Sequence, residues 1–327
     1  MSCVDGTVGL VGPQQLGATC YMDSVLMALL AVPNAYIETH IINRLTCPLA
    51  TSARILASKI RAGTGGCEAV DCSDFQSVLR EHSCLERNYG LGNESFGSPY
   101  AQRDAGEFMS FLANFFDLNT SHTITETLYT NEVCIPHANV WCQNDKYVSR
   151  TVDRKGSVIQ YIPSEIVQTL DKNTPFGCQI SNLLTTHLDS GAFDISDYPR
   201  SPFDGCLYKR RISRTTVVWS PYLIFYADRV VNDGFGRGKY LQNAIYPESR
   251  ILVGSYFLEL SAIVVHKGNS HGGHYILIFR NQTKWYFYDD QCNIVSLVGA
   301  GTFEDILDLK CTHGFNVREN GILYYYV

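Results

Sequence analysis

The chain has 327 residues, of which 45% are hydrophobic and 18% are charged. This composition excludes a disordered chain and allows one large domain with a proper hydrophobic core. A net charge of −6 and an isoelectric point near 5.8 argue against nucleic acid as the main partner. The same charge suits a cleft that receives a basic peptide.

The N-terminal residues lack the basic region and the long apolar core of a signal peptide, and no apolar run reaches the length of a membrane span. The 12 cysteines have no regular spacing, which fits free thiols in a reducing compartment better than a secreted disulfide framework. We therefore expect an intracellular monomer, cytoplasmic or nuclear, that does not bind membranes.

An early segment, QLGATCYMDS at Gln15 to Ser24, places a cysteine where a turn meets a helix. Tyr21 to Ala31 has apolar residues on one helical face, so we expect Cys20 at or near the helix N-terminus. The unpaired N–H groups and the positive end of the helix dipole favour a thiolate there. The alternative is a buried packing cysteine, as most of the other cysteines must be.

A late segment, HKGNSHGGHY at His266 to Tyr275, offers a histidine that follows two glycines and opens a strand. The next residues are apolar and β-prone, and a polar turn separates them from the aromatic run WYFYDD. This pattern predicts a β-hairpin.

The register of the hairpin determines which carboxylate reaches the histidine. Pairing of Arg280 with Trp285 would set His274 and Asp289 on one face as diagonal neighbours. An aspartate that accepts the proton of one ring nitrogen leaves the other nitrogen to meet the thiol. One extra residue in a β-bulge would instead give this position to Asp290.

Two other histidines in this segment have an ordinary explanation. His266 ends a predicted strand and His271 lies in a polar turn, so both are expected to be solvated loop residues. Gly272 and Gly273 differ, because glycines let a backbone approach a ligand closely. They suit a cleft for an extended peptide.

The stretch QRDAGEF, from Gln102 to Phe108, leads into apolar residues at helical spacing. Asp104 and Glu107 fall in the opening turns, where acidic side chains complement the helix dipole. Carboxylates also pair well with the guanidinium groups of a ligand.

These three segments, in this order and spacing, resemble the sequence boxes of the ubiquitin-specific protease family. The stretch Pro221 to Arg229 resembles the family's palm strand before the histidine box, and Gly321 to Tyr325 resembles its closing strand. The resemblance covers nearly the whole chain, from Gly9 to its end. It implies an α+β, papain-like cysteine protease fold with a helical thumb, a β-rich palm and reduced fingers.

The resemblance also implies an activity, which is hydrolysis of the isopeptide or peptide bond after the C-terminal glycine of ubiquitin. The chemistry passes through an acyl-enzyme and needs no cofactor. In the family's pattern Cys20 is the nucleophile, His274 is the base and then the acid, and Asp289 orients the ring. Gln15 replaces the usual asparagine as oxyanion donor on an arm one methylene longer, and the Cys20 N–H is a second candidate donor.

Substrate contacts follow from the same resemblance. The family's acidic positions that match Asp104 and Glu107 meet the arginines of the ubiquitin tail. Ubiquitin or a ubiquitin-conjugated protein is therefore the expected partner. We expect Gln102, Gly272 and Gly273 to belong to the same binding region.

The chain departs from the family's pattern at Asp23, where CYMNS is usual and CYMDS is found. A carboxylate one helical turn from Cys20 is expected to oppose thiolate formation modestly. Comparison of alkylation rates with those of Asp23→Asn tests this expectation.

We expect a single catalytic domain over 1–327, with a thumb over about 1–118, a fingers-like region over about 119–213 and a palm over about 214–327. A loop at Asn232 to Gly238 is a candidate lip of the substrate channel.

Zinc is not expected in the fingers. Many family members bind zinc there through two Cys-x-x-Cys pairs, but this chain has no such pair. The cysteines of the region lack the short spacing that holds two ligands on one knuckle. They are Cys134, Cys142, Cys178 and Cys206.

Two alternatives keep the fold but change the function. The substrate could be another ubiquitin-like modifier, or the chain could be a weakly active ubiquitin-binding module. Gln15 and Asp23 favour the second alternative, whereas the presence of Cys20, His274 and Asp289 together argues against it. A compact catalytic domain would also suit a viral protein acting in a host cell.

Overall fold

The computed structural model describes most of the chain. The described residues are 10–44, 46–63, 69–85, 96–100, 102–135, 140–170, 179–183, 193–195, 207–232, 238–253, 256–269, 272–291, 294–307 and 316–327.

The first part of the chain is helical. Its helices are α1 (Cys20–Leu30), α2 (Ala35–Ile37) with a π-helical turn (Glu38–Ile42), α3 (Pro48–Ala62), α4 (Ser73–Leu85) and α5 (Ala105–Phe115). The helix predicted from Tyr21 begins one residue earlier, at Cys20. Nearly every side chain of α1 is buried, so this helix forms the centre of the core.

A long antiparallel sheet follows the helices. Its strands are β1 (Asn119–Ile135), β2 (Val140–Ser157), β4 (Phe193–Ile195) and β5 (Leu207–Trp219), in the order β2-β1-β5-β4. This sheet corresponds to the expected fingers-like region. The four cysteines on which the zinc prediction depends have side chains outside the described part of the structure.

The second sheet is larger. Its strands are β3 (Ile159–Ile162), β6 (Leu223–Ala227), β9 (Arg250–Val253), β10 (Tyr256–Asn269), β11 (Gly272–Asn281), β12 (Lys284–Asp289), β13 (Ile294–Leu297) and β14 (Gly321–Tyr326). The order is β13-β12-β11-β10-β14-β6-β3, and β9 pairs with β10. Only the β3–β6 pair among these is parallel.

Short elements lie outside the two large sheets. They are α6 (Ser164–Thr169), β7 (Val230–Asn232), β8 (Gly238–Tyr240), α7 (Phe303–Leu307) and α8 (Val317–Asn320). β7 pairs with β8, and the candidate lip connects them. Its residues 233–237 lie outside the described residues.

Both faces of the palm sheet are buried. Along β10 and β11, Val264 and Leu277 pack with the helices, whereas Val265 and Ile276 pack in a second core on the opposite face. Because side chains alternate across a strand, two buried faces explain the continuous apolar runs of these strands. The result is a rigid platform for the residues at the strand ends.

The predicted hairpin is confirmed by the pairing of β11 with β12. Arg280 pairs with Trp285, and the ladder reaches the pair Leu277–Tyr288 in regular register. Gln282, in the connecting turn, has a φ of 55°, the left-handed conformation that a tight turn requires. The proposed boundaries between thumb, fingers and palm stay predictions.

No single helix in the described part of the chain combines the length and the apolarity needed to cross a bilayer. Taken together, α1 and Ala35–Ile42 are long and apolar enough, but they are bent by 102° at the break between them. Its apolar residues belong to the core.

Candidate active site

Cys20 is the first residue of α1 and is 4% exposed. The helix begins after a sharp turn in which Gly17 has a φ of 109° and lies against Pro99. A Cβ at Gly17 would lie 2.3 Å from the Pro99 carbonyl oxygen, so the turn requires glycine. Thr19 accepts the first helical hydrogen bonds, which leaves the Cys20 N–H at the open end of the helix.

His274 lies near the start of β11, and two carboxylates face it from the end of β12. Its Nε2 is 2.9 Å from Oδ1 of Asp289 and 3.7 Å from Oδ1 of Asp290. Asp289 is therefore the hydrogen-bond partner, as the register predicts. With Nε2 on the carboxylate, Nδ1 is the ring nitrogen left for the thiol.

The surroundings of His274 favour its charged form. Burial disfavours the imidazolium, but hydrogen bonds to Asp289 and Cys20 outweigh burial and raise the pKa of His274 to about 10. The histidine thus holds a proton at neutral pH when the carboxylate and the sulfur are both in place. This is the proton that a leaving amine needs.

A glutamine links the helical lobe to the hairpin beside the sulfur. Nε2 of Gln102 lies 3.8 Å from Sγ of Cys20 and also donates to the carbonyl of Gly273. Oε1 of Gln102 accepts from the Gly273 N–H at 3.3 Å. The amide therefore pairs with both backbone polar groups of Gly273 across the cleft.

The predicted oxyanion donor Gln15 is half-buried in the segment that precedes α1. This segment is anchored by a bridge between Pro13 and Val70. The side-chain amide that contacts the Cys20 sulfur is that of Gln102. Sequence reasoning placed Gln102 with the substrate contacts and missed this position beside the nucleophile.

A cleft of about 530 Å³ opens next to these residues. Four predicted binding residues line it, namely Gln102, Asp104, Glu107 and Gly272. The fifth, Gly273, is held by Gln102 at its edge. Cysteine, imidazole and carboxylate beside an elongated cleft can carry out acyl transfer to a thiol.

Comparison with known families decides what this site belongs to. A family model described as ubiquitin carboxyl-terminal hydrolase matches residues 11–304. The chain belongs to this family. It is a thiol-dependent ubiquitin hydrolase, a deubiquitinase, and the resemblance inferred from the three sequence segments is confirmed.

Solved structures confirm the papain-like α+β fold of the hydrolase. The SAGA DUB module of Ubp8, Sgf11, Sus1 and Sgf73 bound to monoubiquitin matches with a TM-score of 0.63 and 15% identity over 100% of this chain and 71% of that chain. The same module bound to ubiquitin aldehyde matches with a TM-score of 0.63 and 17% identity over 98% and 70%. Comparison with curated proteins gives no significant match.

Asp104 has a structural role in the hydrolase. It caps α5, because its Oδ1 accepts from the N–H groups of Gly106 and Glu107 at 2.7 and 2.9 Å. Hydroxyls of Tyr226 and Tyr275 donate to its two oxygens at 2.9 and 3.3 Å. Burial raises the pKa of Asp104, and these four hydrogen bonds oppose the rise.

Glu107 is the carboxylate of this pair that is available to a ligand. Its side chain is exposed in the cleft, one helical turn from Asp104. Partial burial and the neighbouring Asp104 raise the pKa of Glu107. A guanidinium group bound here would find one exposed carboxylate and one that is already hydrogen-bonded.

The expectation for His266 was wrong. It lies within β10 and is 6% exposed, and its ring centroid is 4.5 Å from that of Tyr275. Burial and the nearby charge of His274 lower the pKa of His266 to about 4, so this ring of the cleft wall is neutral. His271 lies outside the described residues.

The expectation of a charged Asp23 is also contradicted. Asp23 is fully buried, and burial together with Asp290 raises its pKa well above the usual range. The raised pKa favours the uncharged carboxyl, which opposes a negative charge beside Cys20. The sequence argument assumed an exposed carboxylate on the first helical turn.

His274, Asp289 and Asp290 also bring possible metal ligands within 4.8 Å of one another. The nitrogen in this group is already hydrogen-bonded to Asp289. We assign these residues to the hydrolytic site and propose no metal here.

Proposed function

We propose that Cys20, His274 and Asp289 form the catalytic triad that hydrolyses the bond after the C-terminal glycine of ubiquitin. The observation that carries this proposal is the 2.9 Å contact between His274 and Asp289 beside a cysteine at a helix N-terminus. Each group has the environment that its role in acyl transfer requires.

The first half of the reaction forms a thioester. The Cys20 sulfur attacks the carbonyl carbon of the terminal glycine, and the carbonyl oxygen takes the negative charge. The tetrahedral intermediate then breaks its C–N bond, and the leaving amine takes the proton of His274. Asp289 keeps the ring in the orientation for this transfer.

The second half regenerates the enzyme. His274, now neutral, removes a proton from a water molecule that attacks the thioester carbon. The C–S bond breaks, the ubiquitin carboxyl group leaves and gives its remaining proton to the solvent, and sulfur and imidazole return to their starting protonation.

Two kinds of donor are candidates to stabilise the developing oxyanion. The Cys20 N–H at the open end of α1 is one, and it acts together with the helix dipole. A side-chain amide is the other. Gln102 is supported by its contact with the sulfur, and Gln15 is supported by its place in the family's pattern.

The cleft beside Gln102 suits the tail of ubiquitin. Its wall carries the exposed carboxylate of Glu107, which can pair with a guanidinium group. The two solved relatives are bound to monoubiquitin and to ubiquitin aldehyde, and this chain shares their fold. We propose that the tail of ubiquitin lies in this cleft.

The test is a ubiquitin that carries an electrophile at its C-terminus, together with cleavage of a ubiquitin fusion. Wild type should form a covalent adduct and cleave the fusion, and Cys20→Ala should do neither. Cys47→Ala is the matched control, because Cys47 is a half-buried thiol at the start of α3, and it should behave as wild type.

Labelling that persists in Cys20→Ala would contradict the assignment of the nucleophile. A panel of probes built on other ubiquitin-like modifiers tests the substrate. Faster labelling by one of them than by ubiquitin would give that modifier the place proposed here for ubiquitin.

A further inference from the structure

A pair of buried acids lies behind the proposed triad. Asp23, on α1, is 0% exposed, and Asp290, directly after β12, is 2% exposed. Oδ1 of Asp23 and both carboxylate oxygens of Asp290 are buried without a hydrogen-bond partner among the described residues. The remaining oxygen, Oδ2 of Asp23, accepts from the Thr19 hydroxyl at 2.8 Å.

Three unpaired carboxyl oxygens in one buried place are costly, and two adjacent carboxylates cannot both stay ionised. A single proton removes both problems, because a protonated carboxyl becomes a donor to its neighbour. This is the arrangement of an acid pair that shares one proton.

We propose that Asp23 and Asp290 share one proton, and that Asp23 is a positioning residue whose O–H holds the Asp290 carboxylate next to His274. This inference deepens the proposed function and rests on it, because the group being positioned belongs to the proposed triad.

The protonation states of the two acids support this assignment. Burial and Asp290 raise the pKa of Asp23 well above the usual range. Burial raises the pKa of Asp290 to about 6, while the charge of His274 opposes that rise. Burial thus favours the proton on Asp23, whereas the charge of His274 favours the ionised form of Asp290.

The charge on Asp290 has a use in the reaction. Its Oδ1 lies 3.7 Å from Nε2 of His274, on the same ring nitrogen that Asp289 binds at 2.9 Å. The imidazolium thus faces two carboxylates. Asp289 is hydrogen-bonded to it, and Asp290 lies farther away. An Asp23 carboxyl that keeps its proton fixes the second carboxylate without adding a third charge.

The groups around the pair are known from every packed element. They are Tyr21 of α1, Cys72 before α4, His274 of β11, and Tyr288 and Asp289 of β12. Among these described neighbours His274 alone carries a positive charge.

The departure from the family's asparagine also becomes understandable. A protonated aspartic acid and an asparagine both present one acceptor and one donor side on the same short arm. Asp23 can therefore accept from Thr19 and donate to Asp290, as an asparagine amide would.

The first experiment detects the proton directly and needs no activity. Infrared difference spectra near pH 7 of wild type against Asp23→Asn should contain the carbonyl band of one protonated carboxylic acid, and those against Asp290→Asn should show a shift of this band, because Asp23 keeps its proton but loses its acceptor. Asp74→Asn removes an exposed aspartate of α4 and should not contain this band. Absence of the band from both pair spectra, or its presence for Asp74→Asn, would overturn the proposal.

The second experiment separates positioning from packing. Asp23→Asn keeps the donor, so kcat/KM for ubiquitin cleavage should stay within about threefold of wild type, whereas Asp23→Leu should lose about tenfold or more. The loss should appear mainly in kcat, because the ubiquitin cleft is untouched. If Asp23→Leu fails to fold, Asp23→Asn and the infrared spectra still decide.

The outcomes distinguish this inference from the proposed function. An Asp23→Asn variant as inactive as Asp23→Leu would overturn the role of the donor. If the infrared band is present but wild type does not cleave ubiquitin fusions, the shared proton is supported and the proposed function is contradicted.

Discussion

Two helix starts in this molecule hold buried acids, and they do so in opposite ways. At the start of α5, Asp104 receives four hydrogen bonds, two from the helix backbone and two from tyrosine hydroxyls. In the first turn of α1, Asp23 accepts one hydrogen bond, from Thr19, and interacts with another acid, Asp290. The comparison teaches that a buried carboxyl is stabilised either by donors or by its own proton.

The largest effect is expected where a carboxylate pairs with a catalytic ring. Asp289→Asn removes the negative charge that is hydrogen-bonded to Nε2 of His274, and it should lower kcat about 10²- to 10⁴-fold. Without that carboxylate the pKa of His274 should fall from about 10, so the alkaline limb of the pH–rate profile should move to lower pH. A profile of kcat/KM against pH measures both effects.

Asp290→Asn is the matched control for that experiment, because it removes the more distant charge, at 3.7 Å. Its loss should be smaller than that of Asp289→Asn. An equal or larger loss would make Asp290 the principal partner of His274 and would contradict the hydrogen bond seen here.

The protonated acid of α1 predicts a pH-dependent stability. The pKa of Asp23 in the folded state lies well above the ordinary aspartate value of 3.8, so its contribution to stability is complete below 3.8 and is lost as pH rises toward the folded pKa. Wild type should lose up to about 1.4 kcal/mol of unfolding free energy per pH unit in that window relative to Asp23→Asn. Denaturant unfolding at several pH values measures the difference.

Asp74→Asn should follow wild type in that experiment, because Asp74 is exposed. Parallel curves for wild type and Asp23→Asn would show that Asp23 is ionised in the folded protein, and the comparison between the two helix starts would fail.

The donor-rich acid of α5 predicts a loss of stability of more ordinary size. Asp104→Ala removes the cap of α5 and leaves the hydroxyls of Tyr226 and Tyr275 without their acceptor. We expect a loss of about 2 kcal/mol in unfolding free energy. Asp104→Asn keeps an acceptor oxygen and should lose less.

The smallest effect is expected at the exposed carboxylate of the cleft. Glu107→Gln should raise KM for ubiquitin about two- to fivefold with little change in kcat, because exposed ion pairs contribute little. The difference from wild type should shrink as salt is added. A fall in kcat with KM unchanged would place Glu107 in the chemistry rather than in binding.

The arrangement of the hairpin was predictable from sequence, and the physical reason is local. Side chains alternate along β11 and β12, so one pairing, Arg280 with Trp285, determines which residues share a face. The position of Asp289 beside His274 followed from that pairing alone. The helix start at Cys20 was predictable for a similar reason, since turn residues precede a periodic apolar run.

The burial of Asp23 and His266 was not predictable in this way. The apolar pattern of α1 marks one face, but the helix is covered on all sides by elements that are distant in the chain. His266 lies next to a polar turn in sequence and under Tyr275 in space. Both errors concern the environment, which neighbours in the sequence do not describe.

The contact of Gln102 with Cys20 was unpredictable for the same reason, because the two residues are 82 positions apart in the sequence. The sequence marked Gln102 as part of the substrate region. Only the packing of α1 against α5 and β11 shows that its amide is beside the sulfur.

The bridge between Gln102 and Gly273 has a consequence for how a peptide enters. The backbone N–H and C=O of Gly273 are both already hydrogen-bonded to the side-chain amide of Gln102, as they could be to an extended peptide. A peptide tail that hydrogen-bonds to either backbone group of Gly273 must displace Gln102. Binding then exchanges existing hydrogen bonds for new ones, with little net gain in free energy. The affinity for different peptide tails then depends mainly on the size of their side chains. A tail that ends in glycines meets the least steric obstruction.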